Sequence, residues 1–217
     1  MGSAILFTLG YGVAVWKYKM FPYEPIQQLK YKIMTKNKHY HERVEFFKRS
    51  NPKSSYVMLG DSITEEGHWN ELMGRNDIVN RGISGDTTAG LLDRMEYLGS
   101  HPKICFIMIG VNDLSRGLRV EEVFHNYVTI INTLTSQKIT PVIQSILLTD
   151  RPGLNPKVIV LNRKLKHFAK SNKIRFIDLN KKLAPEGVLL DIYTTDGQHL
   201  NAQGYAVWAE ILKGHMP

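Results

Sequence analysis

The chain has 217 residues, 43% of them hydrophobic, a single cysteine and a formal net charge of +8. That length and apolar content allow one substantial core in one catalytic-sized unit, with or without an appendage. A lone Cys105 excludes an intramolecular disulfide.

The charge is not spread evenly. Lys17 to Lys53 carries ten basic and three acidic residues, net +7, whereas Ser54 onward carries 18 basic and 17 acidic residues, net +1. A basic segment beside an apolar one suits an anionic membrane surface better than a phosphate-reading fold. No aromatic-interleaved RNA motif or zinc-finger spacing is present, so nucleic acid is not an expected partner.

Residues 4–16, AILFTLGYGVAVW, are uncharged and largely apolar, and Lys17 and Lys19 follow at once. This run falls short of the roughly 20 residues that cross a bilayer, although counting through Phe21 with snorkelling lysines approaches that length. No basic residue precedes it, and Leu6 stands where a myristoylation signal requires Ser or Thr. Residues 1–21 are therefore expected to form a membrane anchor, the alternative being an amphipathic or buried helix. Positive-inside logic puts the remainder on the cytoplasmic face; further basic residues ahead of Met1 would reverse that and give an extracellular placement.

Residues 22–53 open with Pro22 and Pro25. Ile26, Leu29, Ile33, Tyr40, Val44 and Phe47 then recur at largely helical spacing, interrupted around Asn37. This predicts a basic amphipathic helical linker whose apolar stripe packs on the following domain or whose lysine-rich face meets lipid. His41-Glu42 begins a zinc-protease-like pattern, but Glu45 occupies the position of the second histidine, which argues against a metal site.

From 54 to 217 strand and helix patterns alternate. Strands are expected at 55–59, 77–80, 104–109, 139–147 and 174–178, and helices at 87–98, 120–137, 156–172 and 202–213. The third and fourth strands are continuous apolar runs, suited to a sheet covered on both faces. The pattern implies an α/β domain, a three-layer α/β/α sandwich around a five-stranded parallel, flavodoxin-like sheet, with the N-terminal helical extension ahead of it.

Four polar clusters fall at expected strand ends, the edge where ligands collect in open α/β sheets. Gly60-Asp61-Ser62-Ile63-Thr64 follows the first strand, Gly82-Ile83-Ser84-Gly85-Asp86 the second and Gly110-Val111-Asn112-Asp113 the third. Asp196-Gly197-Gln198-His199 precedes the last helix. Singly, each has a bland reading: a serine or aspartate caps a helix, an asparagine caps a turn, a histidine sits on the surface.

In this order and spacing the clusters resemble the signature blocks of the SGNH/GDSL hydrolases. GISGDTT followed by GVND further resembles the branch that includes the platelet-activating-factor acetylhydrolase catalytic subunits. The resemblance implies the SGNH hydrolase fold, with Ser62 as nucleophile, His199 as its base and Asp196 orienting the histidine. The oxyanion hole would comprise the N–H groups of Ser62 and Gly85 and the side-chain amide of Asn112. The chemistry agrees, because a serine hydroxyl is a weak nucleophile until a neighbouring base takes its proton.

The expected activity is a metal-independent serine esterase, needing no cofactor and acting on short-chain, acetyl-type esters of a lipid or glycan. An O-acyltransferase acting on an envelope polysaccharide, or a catalytically silent membrane-tethered binding module, are the competing readings. Asp61 and Asp86 are expected to bond loop amides, and Trp69 and the loop 148–155 to wall an acyl or leaving-group pocket.

Overall fold

The computed structural model describes residues 38–216. The expected anchor at 1–21 and the first part of the basic linker lie outside the described residues. Among the described residues no helix is long and apolar enough to cross a membrane.

Five strands, β1 (Tyr56–Gly60), β2 (Ile78–Gly82), β3 (Ile104–Met108), β4 (Thr140–Gln144) and β5 (Arg175–Ile177), form one sheet in the order β2-β1-β3-β4-β5. Every pairing is parallel, with Tyr56 opposite both Ile78 and Ile104. The expected flavodoxin-like α/β/α sandwich is therefore the architecture found. Successive strand side chains point to opposite faces, so each central strand feeds two cores. Val57, Leu59, Cys105 and Ile107 enter one, and Tyr56, Met58, Phe106 and Met108 the other.

Two long helices, α6 (Val120–Ser136) and α7 (Asn155–Ser171), cover the first face. Val123, Tyr127, Ile130 and Leu134 line one stripe of α6, and Val158, Leu161 and Leu165 one stripe of α7, all buried. Helix α6 starts cleanly because the Glu122 carboxylate accepts the Arg119 N–H at 2.7 Å. The second face is covered by α9 (Ala202–Lys213), which Asn201 caps by accepting the Gly204 N–H. Trp208 of α9 packs edge-on against Trp69, with Tyr205 stacked on it.

Helix α1 (Lys38–Arg49) lies at the start of the described chain. It buries Tyr40 and Phe47 against Ile83, and the Tyr40 hydroxyl donates to the Gly90 carbonyl at 2.7 Å. The Phe47 ring also lies beneath the guanidinium groups of Arg81 and Arg94.

Two elements fall short of their patterns by three residues or more. Helix α4 occupies Thr88–Leu92 rather than 87–98. Beyond it the Arg94 and Tyr97 N–H groups bond carbonyls three residues back, a tighter winding. That winding accompanies the insertion of the Arg94 side chain beneath β1 and β2. Strand β4 stops at Gln144 although the apolar run continues to Leu148, because β5 beside it ends at Ile177. Past that point Asn162 and Asn180 side chains replace the ladder, bonding the backbone of Ile146 and Leu148.

Candidate active site

The strand order reverses between β1 and β3, so the loops leaving these two strands diverge and open a crevice at the sheet's C-terminal edge. Ser62 sits there, as the first residue of a one-turn helix, α2 (Ser62–Glu65), immediately after β1. The turn is tight. A Cβ at position 60 would collide with Thr64 Oγ1 and the Met108 carbonyl, so only glycine lets α2 fold back this closely.

Asp61 caps α2 by accepting the Ile63 N–H at 3.1 Å. Its carboxyl is fully buried beside those of Asp86 and Asp113. Burial pushes it up to about 7, and the two neighbouring carboxylates add to the effect. Burial likewise raises Asp113 to about 6, although Thr88 donates to it from both N–H and hydroxyl.

The folded state therefore holds protons at Asp61 and Asp113 more tightly than the unfolded chain does. The resulting stability is full below about pH 4 and is lost as pH rises through about 6 to 7. Asp61→Asn keeps an oxygen for the Ile63 amide and removes the Asp61 share of this titration. Thermal unfolding of that variant is expected to show a flatter dependence of Tm on pH between about 4 and 7.

The second side of the crevice comes from the loop before α9. Thr194 and Leu200 form an isolated antiparallel bridge, and the Thr194 hydroxyl donates to the His199 carbonyl at 2.6 Å. Within this loop Asp196 accepts the N–H groups of Gln198 and His199 through Oδ1, and Oδ2 lies 2.6 Å from His199 Nδ1. The opposite ring nitrogen, Nε2, lies 3.0 Å from Ser62 Oγ. Residues 137 apart in sequence thus stand in one hydrogen-bonded line, Ser62 to His199 to Asp196.

The Asp196 carboxyl feels two opposed influences. Partial burial works to raise it, but the hydrogen bonds from the His199 ring and from the His199 and Gln198 amides prevail and hold it near 2.

The loops after β2 and β3 flank Ser62. Residues 83–86 form a turn closed by the Asp86 N–H on the Ile83 carbonyl, with Gly85 at φ 73° in its third position. A type II turn requires that conformation, which glycine adopts without strain. Asn112, in the short helix α5 (Val111–Ser115), donates one side-chain N–H to the Asp86 carbonyl at 2.9 Å. Arg116 holds the other side of the loop by donating to the Gly85 carbonyl.

Trp69 turns inward rather than into the crevice that holds Ser62 and His199. It is 2% exposed, donates its indole N–H to the Thr64 carbonyl and packs on Trp208 inside the second core. A cavity of about 240 Å³ does open beside it, lined by His68, Trp69, Asn70, Glu71, Ile78 and Asn80, but it contains none of Ser62, Asp196 and His199. The 148–155 loop instead abuts the histidine loop, the Asp150 N–H donating to the Gly197 carbonyl at 2.8 Å.

Residues 58–207 match the model of the GDSL-like lipase/acylhydrolase family, and this span includes all four clusters and the whole crevice. The chain belongs to that family. Among solved structures, this GDSL-family chain superposes with a TM-score of 0.75 on a Streptococcus pneumonia protein provisionally described as a platelet activating factor. The two are 26% identical, and the match covers 90% of this chain and 99% of the other. A GDSL-like lipase from Bacteroides thetaiotaomicron gives a TM-score of 0.70 at 24% identity, over 81% and 96% of the two chains.

Among curated proteins, N-acylneuraminate cytidylyltransferase of Streptococcus agalactiae is 30% identical over 156 residues, 70% of this chain. The match occupies 36% of that protein's length, so this GDSL-family chain corresponds to about a third of that relative.

Two groups at the site were not singled out from sequence. Arg94 is 1% exposed and donates to the Gly60 and Arg81 carbonyls and to Asp86, tying the ends of β1 and β2 to the glycine turn. Its signal was available: a lone arginine between Leu91, Met95 and Leu98 on an otherwise apolar stripe. Glu65 ends α2 and bonds the Ser84 N–H at 2.6 Å, a contact that no periodicity announces.

Proposed function

We propose that the protein is a serine esterase that hydrolyses short-chain, acetyl-type carboxylic esters of a lipid or glycan through an acyl-Ser62 intermediate. One observation carries the proposal: the unbroken line from Ser62 Oγ through both His199 ring nitrogens to Asp196. With the Nδ1 proton directed to Asp196, Nε2 is the acceptor for the serine proton.

As Oγ attacks the ester carbonyl, that proton passes to Nε2, and negative charge develops on the former carbonyl oxygen. The ionised Asp196 stabilises the imidazolium so formed. Collapse of the tetrahedral intermediate passes the proton to the departing alcohol, and a water repeats the cycle to release the acid. Each of these steps is acid-base or nucleophilic.

Donors for the developing oxyanion would be the N–H groups of Ser62 and Gly85 and the second side-chain N–H of Asn112, the first being committed to Asp86. Ser62 heads its helix, so its N–H has no partner within α2. The basic segment ahead of Ser54 supports an anionic membrane surface as the place of work.

Wild-type protein is expected to turn over p-nitrophenyl acetate, and Asn112→Ala to lower kcat by about 100-fold with KM little changed. A wild-type protein without turnover on this ester would contradict the proposal.

A further inference from the structure

The nucleophile helix and the glycine turn are joined by one carboxylate. Glu65 Oε2 accepts the Ser84 N–H at 2.6 Å, and Ser84 immediately precedes Gly85. The carboxylate is 17% exposed and is itself held from α1, with Arg43 Nε 2.9 Å from Oε1 and His39 Nε2 about 3.0 Å from both oxygens. The Arg43 contact is an ion pair whose N–H lies off the hydrogen-bond direction. Arg43 is in turn fixed over the Phe47 ring, which is buried against Ile83.

From this geometry we propose that Glu65 is a positioning residue: it sets the Gly85 N–H for the oxyanion, and α1 holds it in place. The inference rests on the esterase reading of the same site. The physical reason is local. A peptide N–H bonded to a charged acceptor is fixed more firmly than one bonded to a neutral acceptor or to water. Fixing Ser84 N–H fixes the plane of the preceding peptide and the entry to the turn that presents Gly85.

The turn is also held by Arg116 on the Gly85 carbonyl, by Asn112 on the Asp86 carbonyl and by Arg94 on the Asp86 carboxylate, so Glu65 supplies the clamp at its Ser84 end. Oxyanion donors act through prior placement, and a misplaced donor lowers kcat more than it weakens substrate binding. Helix α1 thereby connects the basic N-terminal segment to the reaction centre through Arg43 and His39.

The test uses full-length protein and four variants. Glu65→Ala is expected to lower kcat on p-nitrophenyl acetate about tenfold, with KM within about twofold, and to speed amide exchange at Ser84. Glu65→Gln retains a side-chain oxygen for the Ser84 N–H but not its charge, and should recover part of the kcat and of the protection. Arg43→Ala should give a smaller loss, and Arg43→Ala/Glu65→Ala should match Glu65→Ala alone, since Arg43 acts through the carboxylate.

A merely structural role would lower Tm in Glu65→Ala while leaving kcat per folded molecule unchanged, so that Glu65→Gln would have no kcat loss to recover. Unchanged kcat in Glu65→Ala, or unchanged exchange at Ser84, would overturn the role of Glu65 and leave the esterase reading standing. Absence of turnover in the wild type would overturn both.

Discussion

Ser62→Ala is expected to lower kcat on p-nitrophenyl acetate by about 10⁴-fold or more, with the folded structure retained. The size of the effect follows from the chemistry, because no acyl-enzyme can form without Oγ. What remains is the modest acceleration that binding and oxyanion donors supply alone. Retention of the fold follows from the contacts. The hydroxyl's hydrogen bond goes to His199, across the crevice, while the turn is held by Asp61 on the Ile63 amide and by Arg94 on the Gly60 carbonyl. Circular dichroism and thermal unfolding close to wild type, alongside the kinetic loss, are the expected pair of results.

Asp196→Asn is expected to be nearly as costly, about 10³- to 10⁴-fold in kcat. Asparagine can keep an oxygen at the Oδ1 position, so the Gln198 and His199 amides retain their acceptor and the loop keeps its shape. The atom facing His199 Nδ1 becomes an NH₂ group. It cannot accept the ring proton, so the histidine is driven to the tautomer that carries its proton on Nε2. That nitrogen then no longer accepts from Ser62.

The pH dependence carries a sign as well. The wild-type carboxyl is held near 2, below its ordinary 3.8, so the stability it contributes is present above about pH 4 and is lost as pH falls through about 2. Asp196 is therefore ionised throughout the neutral range, and the kinetic loss in Asp196→Asn should persist across it. A loss below tenfold at neutral pH would show that the carboxylate is not what orients the ring.

Much of this was open to a reader of the sequence. The continuous apolar runs at 104–109 and 139–147 reported a sheet buried on both faces, and the parallel pairing followed from the intervening helices. Ser62, Gly85, Asn112, Asp196 and His199 were singled out through the resemblance of their four clusters to the GDSL signature blocks, and the fold brings Ser62, His199 and Asp196 into one hydrogen-bonded line.

What was hidden is the wiring between loops. Periodicity reports which face of an element is apolar and says nothing of a carboxylate such as Glu65 reaching a backbone amide 19 positions away. Arg94 shortened α4 because its guanidinium binds three acceptors beneath the sheet edge, a tertiary demand that overrides helix propensity. Trp69 is expected, from the sequence, to wall an acyl or leaving-group pocket. Its indole ring turns inward instead, since Thr64 offers a carbonyl and α9 a stacked aromatic pair.

Ser62 Oγ is the atom expected to become acylated. The most direct measurement is to treat wild-type protein and Ser62→Ala with a fluorophosphonate probe, digest both, and map the adduct by mass spectrometry. The prediction is a single phosphonylated peptide with the mass shift on Ser62 in the wild type, and no adduct in the variant. A labelled residue elsewhere, or a wild-type Ser62 that stays unmodified while p-nitrophenyl acetate is hydrolysed, would contradict it.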